Sequence, residues 1–185
     1  FVDKVYLDPN RARKIKKRVT VAVIAILVIL CVCLVTWIVK RVHRNAVDSM
    51  NQYYADTVDY IHDQNFVRAG EECKEALKGA KKLRDKKKTA ELTAYLKLIE
   101  AVNEADDAYG SGKYEDAQAG YVTARERSRY ADHVADSYIE KRLSGVTNYL
   151  SVFDYIQLGD SLTAQGDYVR AEEKYLEAKR MATAA

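Results

Sequence analysis

The 185-residue chain contains one proline, Pro9, and eight glycines. Helix breakers are therefore scarce, and no proline interrupts any segment after residue 9. No stretch alternates as a convincing strand would. Cys31, Cys33 and Cys73 are the three cysteines, and their spacing offers no disulfide framework without a partner chain. His43, His62 and His133 are isolated and lack the i, i+4 pairing that holds a metal. Glu71-Glu72 and Asp106-Asp107 are adjacent acids, which diverge around a helix and make no general acid–base pair. The chain also lacks a phosphate-cradling glycine loop, a nucleophile elbow and a glycosylation sequon. With these elements missing, the chain reads as non-enzymatic, with no cofactor, metal or catalytic residue.

Basic residues are plentiful but unevenly placed. The net charge is +3, with a pI of about 8.6. Residues 1–44 carry ten Lys/Arg against two Asp/Glu, a charge of +8, so residues 45–185 carry −5. The soluble part lacks the concentrated basic face of a nucleic-acid module, so no nucleic-acid partner is expected. One local exception is the run Lys78, Lys81, Lys82, Arg84, Lys86, Lys87 and Lys88. It reads either as a site for phosphate, lipid headgroups or an acidic partner, or as a solvated helix C-terminus whose cations suit the dipole.

Val19–Val39 is a run of 21 residues without a charge. At ~1.5 Å per residue it spans about 30 Å, enough for one bilayer crossing. Trp37 near its end suits an interface. Lys40, Arg41 and Arg44 follow at once, and no small-residue cleavage site follows, which argues against a signal peptide. Cys31 and Cys33 sit mid-span and read as apolar filler. Arg11, Arg13, Lys14, Lys16, Lys17 and Arg18 precede the span, and this excess places the N-terminal side in the cytoplasm. The expected location is a single-pass cell-membrane protein whose remaining residues lie outside the cytoplasm, with lipid contacts through the span.

One phrase occurs three times beyond the span. Phe66, Ala69, Cys73 and Ala76 recur as Tyr114, Ala117, Tyr121 and Ala124, and as Tyr168, Ala171, Tyr175 and Ala178. Positions 0, +3, +7 and +10 share one helical face and read as core packing. The third copy also has Tyr155, Leu158, Gly159, Leu162, Gly166 and Asp167. Together its ten positions resemble a tetratricopeptide repeat. That resemblance implies paired helices A and B, with Gly166 in the turn, as Gly112 is in the second copy. It also implies that Gly159 and Ala171 are the close-approach pair. The second copy keeps Ala105 and Ala108 but has Glu104 where an apolar residue is expected. The first keeps Tyr53 and Tyr60 but has Gln64 at the turn. The aromatics lie 48 and 54 residues apart, against ~34 in the family, so the hairpins are stretched.

The expected fold is all-α: a single transmembrane helix followed by elongated tetratricopeptide-like hairpins forming an α-solenoid. Residues 1–18 read as a cytoplasmic juxtamembrane linker and 19–39 as the span. Residues 40–64 read as a stalk and the first repeat helix A, and 65–185 as the remainder of three hairpins. No breaker separates Pro9 from Asp63, so the span is expected to run on into the first hairpin. Further helices are expected at about 66–82, 89–109, 114–128, 131–164 (with Gly145 a kink or break) and 168–182. Asp8-Pro9 reads as a cap and first helical residue, and the start at Phe1 as the end of a linker from a preceding domain.

The expected function is a membrane-anchored scaffold or adaptor, since the family that the chain resembles binds protein segments or other repeats. Candidate partner-binding residues are Tyr109, Tyr130, Tyr175 and Leu176, the last two because the final hairpin has no obvious polar cap. The partner is a protein or peptide, with a homo-oligomer as a further expectation. The alternative, resting on layout alone, is the extracytoplasmic sensory or regulatory tail of a larger bacterial signalling enzyme. In that reading a serine/threonine phosphatase or kinase domain precedes residue 1.

Overall fold

A computed structural model describes the backbone of residues 9–184 and the side chains of residues 18–183. The linker expected at residues 1–8, with its Asp8 cap, lies outside the described residues. So do the side chains of Arg11, Arg13, Lys14, Lys16 and Lys17. Six helices account for nearly all of the described chain, and no strand occurs among the described residues. They are α1 (Pro9–His62), α2 (Phe66–Leu83), α3 (Lys86–Gly110), α4 (Tyr114–Ser128), α5 (Asp136–Ala164) and α6 (Tyr168–Ala184). The chain divides into two units, Phe1–Ala46 and Val47–Ala185.

In the first unit the described side chains of residues 18–45 are exposed. Their Val, Ile, Leu and Ala side chains point outward on every face. α1 is the one helix among the described residues that is long and apolar enough to cross a membrane. Thr36 Oγ1 bonds back to the Cys33 carbonyl at 2.9 Å, which satisfies its hydroxyl without water. Arg41 lies over the Trp37 ring, 5.2 Å from its centroid. This pairing suits the boundary between an apolar and a wet layer.

In the second unit the helices pack in chain order: α2 on α3, α3 on α4, α4 on α5 and α5 on α6. The residues of α1 within this unit pack too. A Cβ built on Gly79 would come 3.0 Å from Met50 Cβ, so α2 lies close against α1 there. One apolar core joins Met50, Ile61, Phe66, Cys73, Leu92, Leu98, Ile99, Val102, Tyr121, Ile139 and Val146. Leu162, Ala171 and Ala178 are buried outside that core. The last hairpin is therefore held mainly by its own two helices.

Four of the five connections use one device. One or two residues after the helix the chain turns left-handed, and the next residue donates back five positions, closing a Schellman turn. Gln64, Arg84, Gly112 and Gly166 take the left-handed position, with φ of 59°, 57°, 75° and 81°. The following amides donate from Asn65 to Tyr60, Asp85 to Ala80, Lys113 to Ala108 and Asp167 to Leu162, at 2.8–3.0 Å. Asn65, Asp85 and Asp167 then serve as N-caps, each side chain accepting from the amide three residues on. One residue thus ends a helix and its neighbour begins the next.

The fifth connection departs from this pattern and corrects one boundary. α5 starts at Asp136 rather than near residue 131. Asp132 and His133 are both left-handed, with φ of 52° and 59°, so residues 129–135 cannot continue a helix. Asp132 is held there by Tyr95 Oη, which donates to it at 3.1 Å. Gly145 does not break the helix, for α5 continues through it.

Candidate functional site

The repeated phrase lands on α2, α4 and α6, but its surroundings differ in the three copies. In α2, Phe66, Ala69, Cys73 and Ala76 are buried. In α4, Ala117, Tyr121 and Ala124 are fully buried and Tyr114 half-buried. In α6, Ala171 and Ala178 are buried, whereas Tyr168 is 69% and Tyr175 37% exposed. Leu158, expected among the packed positions, is 45% exposed, while Gly159 and Leu162 are buried. A Cβ on Gly159 would come 2.6 Å from the Tyr175 ring, so the neighbour in closest approach is Tyr175 rather than the expected Ala171.

A polar contact repeats along with the phrase. Tyr121 Oη donates to Asp106 Oδ1 at 2.5 Å, and Tyr175 Oη donates to Asp160 Oδ1 at 2.6 Å. Each pair joins helix B to the helix A before it, across 15 residues of chain. The first copy has Cys73 and Val58 at these positions. Cys73 Sγ instead donates to the Leu92 carbonyl at 3.4 Å, and burial pushes its thiol up to about 12.

Around Asp106 the contact is completed by α5. Tyr138 Oη lies 2.8 Å from both Asp106 oxygens, and Arg142 Nε is 3.6 Å from Oδ1. Arg142 also donates to Tyr138 Oη at 2.9 Å and sits over the Tyr109 and Tyr138 rings. Ile139 and Val146 on α5 are fully buried. Burial, then the bond to Asp106, raises the Tyr121 phenol well above its ordinary range, and burial also raises that of Tyr138. The hydrogen bond to Tyr138 raises Arg142. A carboxylate with two phenols and a guanidinium around it thus joins α3, α4 and α5.

Asp160 receives a thinner set of partners. Among the described residues only the Tyr175 side chain donates to it, and Thr163 Oγ1 lies 3.4 Å from the same phenol. Beside it is an open groove of about 320 Å³ lined by Thr163, Tyr168, Ala171, Glu172, Tyr175, Leu176 and Lys179. Leu176 is 58% exposed there. No described helix covers α6 as α5 covers α4.

Of the candidate partner-binding residues, Tyr175 and Leu176 meet in this groove. Tyr109 stands elsewhere, edge-on to Tyr114 at 5.5 Å, and Tyr114 in turn stacks on Tyr149 at 4.0 Å. Tyr130 lies beyond the opposite end of α4 and is 78% exposed. The fourfold grouping therefore separates into three places. Gly112 and Gly166 occupy the two turns described above. Trp37, Lys40, Arg41 and Arg44 line one shallow pocket with Asn45, and Arg18 is exposed.

Sequence reasoning missed Asp106, Asp160, Tyr138 and Arg142. A signal for the two acids was present, since each lies the same distance before a repeat tyrosine. Nothing comparable marks Tyr138 or Arg142, because α5 sits outside the repeated phrase. His133 Nδ1 pairs with Asp136 at 2.8 Å, and among the described residues no group of three His, Cys, Asp or Glu could hold a metal ion. No family model, curated protein or solved structure matches the chain.

Proposed function

We propose that the chain is a membrane-anchored interaction module of tetratricopeptide-like character. Residues 19–39 fix it in a bilayer, the six basic residues before the span lie in the cytoplasm, and the hairpins stand outside. The hairpins form a short α-solenoid, and the face of its last helix receives a helix from a protein partner. One observation carries the reading: the same tyrosine–aspartate bond occurs on α4 under the cover of α5 and on α6 without cover. In repeat proteins such a face is closed by the next helix or by a cap. The covered copy also suggests the chemistry of the occupant. It is an apolar helical stripe small enough to pass over Ala171 and Ala178, with a phenol or guanidinium directed at Asp160.

The test uses the full chain in nanodiscs as bait against membrane and soluble extracts of its host. A specific protein should be retained by the wild type and lost by Tyr168→Ser/Leu176→Ser. Light scattering of the bait alone separates a second copy of the chain from a foreign partner. Identical retention by both baits, or no retention together with a monomeric chain, would remove the proposal.

A further inference from the structure

The connection between α2 and α3 is basic beyond what helix stability favours. Lys81, Lys82, Arg84, Lys86 and Lys87 are exposed and form no ion pair among the described residues. Lys78 and Lys88 are partnered, with Glu75 and Glu91. Cations at the end of α2 suit its dipole, so Lys81, Lys82 and Arg84 need no further explanation. Lys86 and Lys87 do, because they open α3. The first turn of that helix contains no acid, and its free amides and dipole repel positive charge. Asp85 is the one acid at the turn, and it is engaged in capping the Lys88 amide at 2.9 Å.

The position of this turn is informative. Lys88 Nζ lies 3.5 Å above the Tyr54 ring, and Gly79 packs on Met50. The basic turn therefore sits at the end of the second unit where the chain enters it. Val47 follows Val39 by eight residues, at most about 28 Å even when fully extended. The turns at the other end carry mixed charge: Asp63, Lys113 with Asp116, and Asp167 paired with Arg170.

We propose that the α2–α3 turn docks on an anionic bilayer surface, placing Lys81, Lys82, Arg84, Lys86 and Lys87 among phosphate-bearing headgroups. This rests on the reading that residues 19–39 cross a membrane. A shallow groove of about 480 Å³ between Lys81, Arg84, Lys86, Thr89 and Ala90 offers room for a headgroup. A lipid surface fits better than an acidic protein. The cluster is mostly lysine, which is depleted at protein interfaces, whereas a diffuse anionic surface recognises charge without fixed geometry. The tether holds the local concentration of lipid high, so modest attraction per residue suffices.

The experiment uses the full chain with Cys31→Ser, Cys33→Ser and Ala90→Cys, leaving buried Cys73 in place, and a nitroxide on residue 90. It is reconstituted in nanodiscs of phosphatidylcholine alone or mixed with phosphatidylglycerol. Accessibility of the label to a water-soluble relaxation agent should fall several-fold in the anionic discs and recover in high salt. Lys82→Glu/Lys86→Glu/Lys87→Glu should abolish the fall while helicity is unchanged, since these side chains are exposed. Quenching of Trp37 by lipid-borne quenchers reports the span separately. Insertion in both discs with equal label accessibility would overturn this inference alone. Absence of Trp37 quenching would overturn the membrane reading and this inference with it. Protection of the label by added acidic polypeptide or RNA, but not by anionic lipid, would also overturn it.

Discussion

Tyr121→Phe and Tyr175→Phe remove the same atom from the same repeat position, and the structure assigns them different costs. Tyr121 is fully buried, and its hydroxyl donates to a carboxylate. A hydrogen bond to a charged group contributes about 1.5–3 kcal/mol, and water cannot replace this donor without opening the interface between α4 and α5. Asp106 retains Tyr138, so the loss should fall near the lower figure, about 1.5 kcal/mol. At Tyr175 the phenol is 37% exposed, and water can take over its bond to Asp160. The cost there should be below about 0.5 kcal/mol. The assay is urea unfolding of the full chain in detergent, followed by helical circular dichroism. With a slope of about 1–3 kcal/mol per molar, Tyr121→Phe should lower the midpoint by roughly 0.5–1.5 M, and Tyr175→Phe should leave it nearly unchanged. Equal shifts, or a larger one at Tyr175, would refute the claim that cover by α5 separates the two copies.

Three further outcomes follow from the same geometry. Gly112→Ala, at φ 75° with nothing within 4 Å of the added Cβ, should cost about 1 kcal/mol by urea unfolding, whereas Gln64→Gly, at φ 59°, should be neutral or stabilising by up to about 1 kcal/mol. Burial raises the phenols of Tyr95, Tyr121 and Tyr138 and holds the Cys73 thiol at about 12, so each keeps its proton in the folded chain after the unfolded chain has lost it. Their stabilisation is whole below the unfolded values, about 9 for the thiol and 10 for the phenols. It is lost as pH rises through the folded values, so the urea midpoint should start to fall near pH 9, and Cys73→Ala should remove the earliest part of the decline. Ile24→Lys/Val28→Lys/Val32→Lys should cost about 3 kcal/mol of insertion each, together more than the roughly 4–8 kcal/mol that the apolar run supplies, and move the protein from the membrane to the soluble or aggregated fraction on alkaline extraction; retention in the membrane would count against the span.

Much of the helical layout was legible because an aromatic residue opens three of the helices. Phe66, Tyr114 and Tyr168 each open a helix just after a left-handed turn residue, and Gly112 and Gly166 advertise two of those turns. Gln64 and Arg84 occupy the same conformation without glycine, so their turns were visible only through the neighbouring pattern. The true start of α5 was hidden for a related reason. Asp132 and His133 are left-handed under tertiary contact with Tyr95, and nothing local announces it. The packing of the last copy was misjudged because burial depends on what comes to lie over a helix. Tyr168 follows the same pattern as Phe66 and Tyr114, which are covered, but stands exposed, and Leu158 is exposed as its counterpart Glu104 is. The contact between Asp106, Tyr138 and Arg142 joins residues 32 to 36 positions apart, and spacing alone does not reveal such a meeting.

The most direct test of the central claim is hydroxyl-radical footprinting of the full chain in its native membranes and after purification. Tyr168, Tyr175 and Leu176 should be protected several-fold in native membranes relative to the purified protein, while Val67, exposed on α2, should react equally in both. Equal reactivity of the α6 residues in the two states would mean that no partner covers this face, contradicting its role as the binding surface.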